Sequence, residues 1–329
     1  MLYFVLGRAG SGKTTYLNKL ASDFVKSGGD GMTLIVPEQY SFEAERSMLR
    51  VLGERGAQRV DVLSFSRLAD TLLEQYGKNS GKSYIDDGAR AVLMSMALEG
   101  VEDSLEIYAD HAKSAVCVNE LLNASTEFKQ CAISPEELSE TASAIDDGLL
   151  RRKLSELSII TAAYDALVSQ KFFDERDALT CLAELLREEK IFDGRIVMLD
   201  GFRGFTAQEI NVLEQIMKQA RGVYITLCTE TLDDPSAGTG VFSHVINTAH
   251  ELLETAHRNN VPVAKPAMLS SAARFNNFPP DKKREYKPEI AAIEASLYSP
   301  EARVYNSTAD AVTVREAQDM SDEYDFDSR

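Results

Sequence analysis

The sequence predicts an α/β protein in which a parallel β-sheet is interrupted by a long helical insertion. At both ends of the chain, short apolar runs alternate with amphipathic segments, as strands and helices do in α/β folds. Between about residues 80 and 190 only helical periodicity is present. Because each predicted strand is followed by a helix and then by another strand, the sheet should be parallel with right-handed connections.

The strands are predicted at apolar runs that are too short to be helices and that lie between polar segments. They cover residues 2–6, 32–36, 60–65, 195–199, 222–228 and 261–264. The helices of the same domain should begin near four positions that open an amphipathic segment, namely Lys13, Phe42, Ser66 and Thr206. These elements assign residues 1–79 and 191–265 to one α/β domain.

The insertion, residues 80–190, is predicted to be an all-helical domain. Its helices are expected at 89–98, 105–128, 135–145, 149–168 and 174–190. The pairs Asp86-Asp87 and Asp146-Asp147 fall at helix boundaries, where carboxylates accept hydrogen bonds from free amides. We therefore expect helix capping from them rather than metal binding. The proline-rich residues 266–329 are predicted to be a connection followed by the start of another domain.

Charge is distributed unevenly along the chain. The protein has 35 Lys or Arg against 52 Asp or Glu, a formal net charge of −17. Residues 1–79 hold ten basic and nine acidic side chains, whereas residues 80–190 hold eleven and twenty-two. A protein coated for nucleic-acid binding normally carries the opposite net charge. Any nucleic-acid contact must therefore be local. The first 79 residues, in which the charges nearly balance, do not share the acidity of the rest of the chain.

The cysteine content and the hydropathy indicate a cytoplasmic protein. The cysteines form no CxxC pair and each stands in an apolar run, so buried, reduced thiols are expected. They are Cys117, Cys131, Cys181 and Cys228. No window approaches about 18 consecutive apolar residues, and the charged Arg8 and Lys13 interrupt the N-terminus. We therefore expect neither a membrane span nor a signal peptide.

The first predicted strand is followed by a phosphate-binding motif, the P-loop. Residues 7–14 match the pattern G-x-x-x-x-G-K-[ST] and open the first predicted helix. Glycines let the backbone amides turn inward around a β-phosphate, and the helix N-terminus adds its positive end. Lys13 would neutralise the β- and γ-phosphates, and the Thr14 hydroxyl would bind Mg²⁺. The predicted ATP site comprises Gly7, Arg8, Ala9, Gly10, Ser11, Gly12, Lys13 and Thr14.

Polar and aromatic residues follow the second and third predicted strands. The segments read VPEQYSF over residues 36–42 and VLSFSRLA over residues 62–69. Aromatic rings, amides and a few cations suit a track for single-stranded nucleic acid. Two interpretations stay open, because Phe65 could also end a core strand while Arg67 forms a surface ion pair. The candidate DNA contacts are Gln39, Tyr40, Ser41, Phe65 and Arg67.

Four motifs in order resemble the N-terminal part of the AddB family. They are GRAGSGKT, VPEQYSF and VLSFSRLA, followed after the helical segment by VMLDGFRGFTAQE. AddB proteins are the helicase-like, nuclease-bearing subunits of bacterial AddAB complexes, which process double-strand DNA breaks for recombination. The resemblance implies a P-loop NTPase fold of the superfamily-one helicase type, with ATP and Mg²⁺ as cofactors. It also implies DNA and an AddA-like helicase/nuclease subunit as partners, the latter in a heterodimer.

The sequence departs from active helicases of this type at the fourth strand. Active enzymes have Asp-Glu there, where the Asp holds the metal and the Glu orients the attacking water. Here the pair is Asp200-Gly201, so Asp200 can join Thr14 in holding Mg²⁺, but the water-orienting acid is missing. Glu209 on the next helix could reach back to replace it. Active relatives also place an adenine-clamping Gln before this loop, and we expect none here because only six residues precede Gly7.

These observations predict an ATP-binding, DNA-contacting module of an AddAB-type helicase-nuclease, with little or no ATP hydrolysis of its own. Two alternatives stay open. In the first, the chain is an autonomous P-loop enzyme, either an active ATPase or a phosphotransferase. In the second, it is a structural remnant that binds no nucleotide. Turnover of ATP separates the first alternative from the prediction.

AddB proteins are far longer than this chain. They continue through a second helicase-like domain and a C-terminal nuclease whose cysteines hold an iron-sulfur cluster. We therefore expect the chain to be an N-terminal fragment that carries neither the nuclease carboxylates nor the cluster cysteines. Residues 312–317 should form the first strand of the second domain, and Ser321 to Phe326 should begin a helix.

Overall fold

A computed structural model of the protein describes residues 1–78, 81–109, 114–233, 238, 240–269, 287–296 and 304–320. The backbone divides into two units, Met1–Ser271 and Ala272–Arg329. The first unit contains a six-stranded sheet, the helices that cover it and a helical region inserted into the chain. Within the described residues, no helix is long and apolar enough to cross a membrane.

The large sheet is built from six parallel strands, numbered along the chain together with two short strands given below. They are β1 Leu2–Leu6, β2 Met32–Ile35, β3 Val60–Leu63, β6 Ile196–Leu199, β7 Gly222–Leu227 and β8 Ala267–Met268. Their order across the sheet is β3-β2-β6-β7-β1-β8. Leu6 is paired with Leu227, and Ile35 with Leu199. The carboxyl ends of β1, β2, β6 and β7 therefore meet at one edge of the sheet.

Five of the six predicted strands are confirmed, with small shifts at their ends. The third ends at Leu63 rather than at residue 65, because the Ser64 hydroxyl accepts a hydrogen bond from the Arg67 amide (3.2 Å) and Phe65 begins the next helix. The strand predicted at 261–264 is wrong. Val263 forms an isolated bridge there, and the sixth strand is β8.

The helices of the first unit fall into two groups. Those that cover the sheet are α1 Lys13–Lys26, α2 Ser41–Ala57, α3 Phe65–Gln75, α8 Ala178–Glu188, α9 Ala207–Gln219 and α10 Ser243–Arg258. Those of the inserted region are α4 Asp87–Val101, α5 Ala115–Gln130, α6 Pro135–Ala144 and α7 Gly148–Lys171. The four helix starts predicted near Lys13, Phe42, Ser66 and Thr206 are each confirmed to within one residue.

The inserted region differs from the prediction in three places. The helix predicted at 174–190 is α8, which packs in the core of the sheet rather than with the inserted helices. Ser83–Tyr84 (β4) and Phe172–Phe173 (β5) form a parallel pair that is too short to show a period-two pattern in the sequence. The helix predicted at 105–128 begins only at Ala115. Upstream of it, the buried Glu156 carboxylate accepts hydrogen bonds from three consecutive backbone amides, which holds that segment in a loop.

One aspartate of each predicted pair caps a helix, as expected from the sequence. Asp86 Oδ1 accepts a hydrogen bond from the Ala89 amide (2.7 Å) at the start of α4. Asp147 Oδ1 accepts from the Leu149 and Leu150 amides (2.9 and 3.1 Å) at the start of α7. These amides lower the pKa of the Asp147 carboxyl below its ordinary value.

The sheet is buried on both faces. On one face, Phe4 and Val197 belong to a core with residues of α3, α8, α9 and α10. On the other face, Leu34 and Met198 pack with α1 and α2 through residues such as Leu17. The inserted region has a separate core, which includes Met94, Leu98, Leu121, Ile160 and Tyr164. Apolar burial on both faces explains why the strands read as continuous apolar runs.

The second unit contains α11, Pro288–Ser296. The Glu289 carboxylate accepts a hydrogen bond from the Ala311 amide (2.9 Å). The strand predicted at 312–317 is wrong, because these residues have no regular secondary structure. The helix predicted from Ser321 to Phe326 lies outside the described residues.

The cysteines are free thiols, as predicted, but they are less buried than expected. Cys117, Cys181 and Cys228 are half-buried, and Cys131 is exposed at the end of α5. Burial raises the pKa of the Cys181 thiol to about 11, which leaves it protonated at neutral pH.

Candidate functional site

The loop between β1 and α1, residues 7–14, is shaped by its glycines. Gly10 and Gly12 have φ values of 76° and 93°, in the left-handed region that favours glycine. A Cβ added to Gly7 would lie 2.3 Å from Ser11 Oγ and 2.9 Å from the Leu269 carbonyl oxygen. The loop is therefore tightly folded at its start and leaves no room for a side chain at position 7.

A buried polar atom lies inside this loop. Ser11 is 1% exposed, and its hydroxyl has no hydrogen-bond partner within the described residues. Buried hydroxyls normally find a partner. An oxygen-rich group held by the loop would supply one. The tight fold of the loop and the unsatisfied Ser11 hydroxyl are therefore both compatible with a bound phosphate.

The two basic side chains of the loop have different roles. Lys13 Nζ donates hydrogen bonds to the carbonyl oxygens of Gly7 (2.6 Å) and Arg8 (3.0 Å), which keeps its ammonium group beside the loop. Arg8 instead forms an ion pair with Glu230 (3.1 Å), and its guanidinium lies over the Phe242 ring at 5.4 Å. The Arg8 side chain thus ties the loop to the segment after β7.

Asp200 is held between two threonines at the carboxyl edge of the sheet. Thr14 Oγ1 donates to Asp200 Oδ2 and Thr226 Oγ1 donates to Asp200 Oδ1, both at 2.6 Å. The structure therefore brings together Thr14 and Asp200, which were assigned to Mg²⁺ from the sequence. A hydroxyl and a carboxylate are oxygen ligands of the kind that Mg²⁺ prefers.

Thr226 was not predicted from the sequence. It lies on β7, which separates β1 from β6 in the sheet, so its hydroxyl reaches Asp200 from the neighbouring strand. The signal available in the sequence was a polar residue inside the apolar run GVYITL. In the structure this threonine is 2% exposed. Strand order is needed to see that this residue points at Asp200.

The residue after Asp200 supplies backbone geometry and no functional group. Gly201 has a φ of 85°, a conformation in which a side chain is strained. The structure does not show the alternative in which Glu209 reaches back to replace the missing acid. Its carboxylate accepts a hydrogen bond from the Thr206 amide (2.8 Å) in a capping box at the start of α9, and it does not line the cleft described below. Burial raises the pKa of this carboxyl, although the hydrogen bonds from Thr206 oppose the shift.

Thr14, Asp200 and Thr226 line an open cleft of about 680 Å³. Four cationic side chains and two carboxylates face it. The cations are Lys13, Arg46, Arg50 and Arg203, and the carboxylates are Glu43 and Asp200. In a protein with a net charge of −17, this cleft is locally cationic and suits an anion.

The candidate DNA residues after β2 divide into exposed and buried groups. Gln39 and Tyr40 are exposed on a short 3-10 turn, and Tyr40 is 46% exposed. Ser41 is buried at the start of α2, so its expected contact with DNA is wrong for this conformation. Phe42, which was not selected from the sequence, is 73% exposed and lines the cleft. Its signal was a large apolar residue in the otherwise polar first turn of a helix.

The candidate residues after β3 match the interpretation in which Phe65 belongs to the core and Arg67 forms a surface ion pair. Phe65 is 4% exposed and its ring makes edge contacts with Phe202 (5.6 Å between centroids) and Phe205 (6.2 Å). The expectation that Phe65 stacks on a base is therefore corrected, because core packing covers its ring. Arg67 is exposed and forms an ion pair with Glu45 (2.7 Å).

Comparison with known proteins identifies the family. The family model described as "ADDB, N-terminal" matches residues 4–281. Three similar proteins are each named as a subunit, designated B, of an ATP-dependent helicase/deoxyribonuclease. Those from a Thermoanaerobacter species (strain X514), Clostridium tetani and Acetivibrio thermocellus are 31%, 31% and 32% identical to this chain.

The alignments extend over almost the whole of this chain but over a small part of each relative. They cover 99%, 100% and 93% of this chain and 28%, 28% and 26% of the relatives, in the same order. The chain thus spans about a quarter of the length of the curated relatives that it matches. With the family model covering most of its residues, the chain belongs to the AddB N-terminal family.

Proposed function

We propose that this chain is the nucleotide-binding and DNA-contacting module of an AddAB-type helicase/deoxyribonuclease. In this proposal the fold is a P-loop NTPase of the superfamily-one helicase type, and ATP binds with Mg²⁺ but is not hydrolysed at a useful rate. The relatives are named as parts of a helicase/deoxyribonuclease, which supports a setting in the repair of double-strand breaks by recombination.

The observation that carries the proposal is the meeting of Thr14, Asp200 and Thr226 beside the glycine-rich loop. The loop amides and the N-terminus of α1 would hold the phosphates of ATP. Lys13 would exchange its two backbone acceptors for phosphate oxygens, and Thr14 and Asp200 would hold Mg²⁺. The metal ion supplies neutralisation of charge between the β- and γ-phosphates.

Weak or absent hydrolysis follows from the carboxylates around the cleft. Phosphoryl transfer to water needs a group that orients the attacking water molecule. Gly201 has none, and Glu209 is committed to the capping box of α9. The Glu38 carboxylate, just after β2, accepts a hydrogen bond from the Ser64 hydroxyl (2.8 Å) and is turned toward β3. None of these three residues can serve as the missing acid in this conformation.

One observation favours the alternative of an active ATPase. Glu43, on the first turn of α2, lines the same cleft as Asp200 and forms no hydrogen bond or ion pair with a described residue. A carboxylate in that position is the best candidate for a water-orienting group. Phosphate release by wild type, Lys13→Ala and Glu43→Gln decides between the two functions. Turnover by wild type that both substitutions abolish favours the ATPase, and no turnover by wild type supports the binding module.

The proposed DNA surface consists of Gln39, Tyr40, Phe42 and Arg67 at the carboxyl edge of the sheet. Exposed aromatic rings stack on bases without strong sequence preference. Arg67 can leave Glu45 for a phosphate at little cost, because an exposed ion pair contributes about 0 to 1 kcal/mol. The acidity of the rest of the chain restricts binding to this local surface.

The proposed partner is an AddA-like helicase/nuclease subunit in a heterodimer. The relatives are each named as one subunit of an enzyme, which supports assembly with at least one further subunit. Co-purification of this chain, or of a longer protein that contains it, with an AddA-like subunit tests the assignment.

Nucleotide binding is tested by titration of the 329-residue chain with a fluorescent ATP analogue in the presence and absence of Mg²⁺. We expect saturable binding that is strengthened by Mg²⁺ and strongly weakened in Lys13→Ala. Arg55→Ala, which removes an exposed cation near the end of α2, serves as the control for net charge. Equal binding by wild type and Lys13→Ala would remove the basis of the proposal.

A further inference from the structure

Two arginines of α2 face the cleft together. Arg46 and Arg50 are four residues apart, so they lie on the same side of the helix, one turn from each other. Both line the cleft that also contains Lys13, Thr14 and Asp200. Neither residue belongs to the glycine-rich loop, and the sequence motifs did not select them.

The charges of these arginines are not neutralised within the described residues. Arg67, Arg90, Arg152, Arg176 and Arg195 each form an ion pair with an acidic side chain. Arg46 and Arg50 form neither an ion pair nor a hydrogen bond with a described residue, although Glu43 lines the same cleft. Two guanidinium groups that face one cleft without an acidic partner favour a bound anion.

A hydrogen bond joins α2 to α1, the helix that follows the glycine-rich loop. Asn18 on α1 donates a hydrogen bond to Ser47 Oγ on α2 (3.1 Å), and Ser47 lies between the two arginines in sequence. The helix that begins with Lys13 and Thr14 is therefore tied to the turn of α2 that carries Arg46 and Arg50. This contact holds the arginines beside the site rather than on a separate surface.

The chemistry of a bound nucleotide indicates which phosphate is nearest to them. In a loop of this type the backbone amides surround the β-phosphate, and Mg²⁺ bridges the β- and γ-phosphates. The Mg²⁺ side of this site is Thr14 and Asp200, which line the cleft together with α2. A terminal phosphate bound in this way would lie on the side of the loop that faces Arg46 and Arg50.

We propose that Arg46 and Arg50 bind the terminal phosphate of a nucleoside triphosphate, so that the cleft distinguishes triphosphates from diphosphates. The inference rests on the proposed nucleotide binding at residues 7–14. Guanidinium groups form paired hydrogen bonds with phosphate oxygens and stay charged at all relevant pH values. These contacts stabilise bound triphosphate, and neither guanidinium can act as a base toward the attacking water.

The test compares ATP and ADP affinities of the full chain by competition with a fluorescent nucleotide. We expect wild type to bind ATP about tenfold or more tightly than ADP, as charge-assisted hydrogen bonds to one extra phosphate allow. In Arg46→Gln/Arg50→Gln the ratio should fall to within about twofold, with ADP affinity almost unchanged. The Gln side chains remove the charge but keep two of the three methylene groups of each arginine. Arg55→Gln on the same helix is the matched control and should keep the wild-type ratio.

The outcomes separate this inference from the proposal on which it rests. If wild type binds neither nucleotide, both fail. If wild type binds both nucleotides with equal affinity, or the double variant keeps the wild-type ratio, nucleotide binding stands and the role of Arg46 and Arg50 is overturned. An equal loss of ATP and ADP affinity in the double variant also overturns it.

If the double variant does not fold, as judged by its thermal melt, the single Arg46→Lys and Arg50→Lys variants take its place. They keep the charge but lose the paired geometry, so an unchanged ratio in both overturns the inference.

Discussion

At the scale of single residues, the site shows which roles a sequence can and cannot reveal. Lys13, Thr14 and Asp200 were predicted because each stands at a fixed distance from a recognisable motif or strand end. Thr226 was not, because its role depends on the placement of β7 between β1 and β6. Phe65 was misassigned for a related reason, since a sequence does not tell whether an aromatic residue at a strand end points into the core.

The role of Thr226 leads to a prediction for Thr226→Val. The variant keeps the shape of the side chain but removes the hydroxyl that donates to Asp200 Oδ1. Groups that orient a metal ligand typically contribute 10- to 100-fold to metal affinity. We therefore expect the Mg²⁺-dependent part of ATP affinity to fall by about tenfold. Titration with and without Mg²⁺ measures it, and Thr33→Val, at a buried threonine of β2 outside the cleft, is the control. Unchanged Mg²⁺ dependence would contradict this role for Thr226.

The aromatic residues near the cleft should separate into two classes by mutation. Phe65→Ala removes a core ring that packs on Phe202 and Phe205, and it should lower the free energy of unfolding by about 3 to 5 kcal/mol. Tyr40→Ala and Phe42→Ala are surface changes that should alter it by less than about 0.5 kcal/mol. Chemical denaturation measures this difference.

The same variants should differ in DNA binding. Loss of one stacked base costs about 1 to 3 kcal/mol of binding free energy, so Tyr40→Ala and Phe42→Ala should each weaken binding of single-stranded DNA. Fluorescence anisotropy with a labelled oligonucleotide measures the effect. Tyr76→Ala, at an exposed tyrosine at the end of α3, is the control. Wild-type affinity in the Tyr40→Ala/Phe42→Ala double variant would exclude this surface as the DNA contact.

At the scale of elements, the accuracy of prediction followed the length of the periodic signal. The strand at residues 2–6 and the start of α1 at Lys13 were placed correctly, because an apolar run and a motif mark them clearly. The pair β4 and β5 was missed, since two residues per strand give no alternation to detect. The early start predicted for α5 reflects apolar spacing that continues into a loop, which Glu156 holds in a non-helical form.

The inserted helices meet the sheet-covering helices at a buried cluster of charges. Lys129 Nζ on α5 lies 3.4 Å from Asp165 Oδ1 on α7. It also lies 3.3 Å from Asp174 Oδ2 and 2.8 Å from Asp177 Oδ2, two residues that precede α8. Arg90 on α4 lies 3.7 Å from Asp174, whose side chain is fully buried. Burial lowers the pKa of Lys129, but the three aspartates raise it well above its ordinary value. Lys129 is therefore charged and compensates the buried Asp174 as well as the half-buried Asp165 and Asp177.

Lys129→Met should be strongly destabilising for this reason. Removal of one partner of a buried ion pair typically costs about 3 to 5 kcal/mol, because the other charge is left buried without compensation. Thermal or chemical denaturation at pH 7 measures the loss. Lys218→Met, which removes an exposed partner of Glu214 on α9, is the control and should change stability by less than about 1 kcal/mol. Similar effects of the two substitutions would contradict the role of the cluster.

The difference in the free energy of unfolding between wild type and Lys129→Met should become smaller as the pH falls toward 4. In wild type, burial raises the pKa of Asp165 and of Asp177, so their contribution to stability is favourable below the unfolded value and lost as the pH rises through the folded pKa. For Asp174 burial also raises the pKa, but Lys129 and the Arg176 amide hold it below its ordinary value. Without Lys129 the pKa of all three carboxyls should be higher in the folded state. Protonation then relieves the variant at acid pH, and a deficit that is constant from pH 7 to pH 4 would contradict this assignment.

At the scale of the whole molecule, the class of fold was predictable but the sheet order was not. Alternating strands and helices lead to a parallel sheet by general rules of connection. They do not tell that the chain, after β3, passes through more than one hundred residues of largely helical structure and returns to add β6 beside β2. That return brings Asp200 to the loop at residues 7–14. The site is thus assembled from sequence-distant pieces whose meeting depends on tertiary packing.

A ligand bound between such distant pieces should stabilise the whole first unit. Binding to the folded state alone adds about 2.7 kcal/mol to the free energy of unfolding when ATP is present at 100 times its dissociation constant. For a domain of this size, that corresponds to an increase of about 5 to 10 °C in the melting temperature. We expect this shift with ATP and Mg²⁺ in a thermal melt, together with no release of phosphate over the same period.

The control and the opposing outcome follow from the same geometry. Lys13→Ala should melt near the wild-type temperature without nucleotide, because Lys13 is only half-buried and contacts its own loop, but it should lose most of the shift with ATP. Ligand stabilisation reaches every element that unfolds together with the site, so a nucleotide held by the glycine-rich loop alone would protect only the segments that unfold with that loop. Hydrogen exchange of the amides of β6 and β7 distinguishes the cases. Slower exchange in both strands when ATP is bound supports a ligand held jointly by Thr14 and Asp200. Protection confined to residues 7–14 would contradict it, and DNA-stimulated phosphate release that is abolished by Lys13→Ala would favour the active ATPase instead.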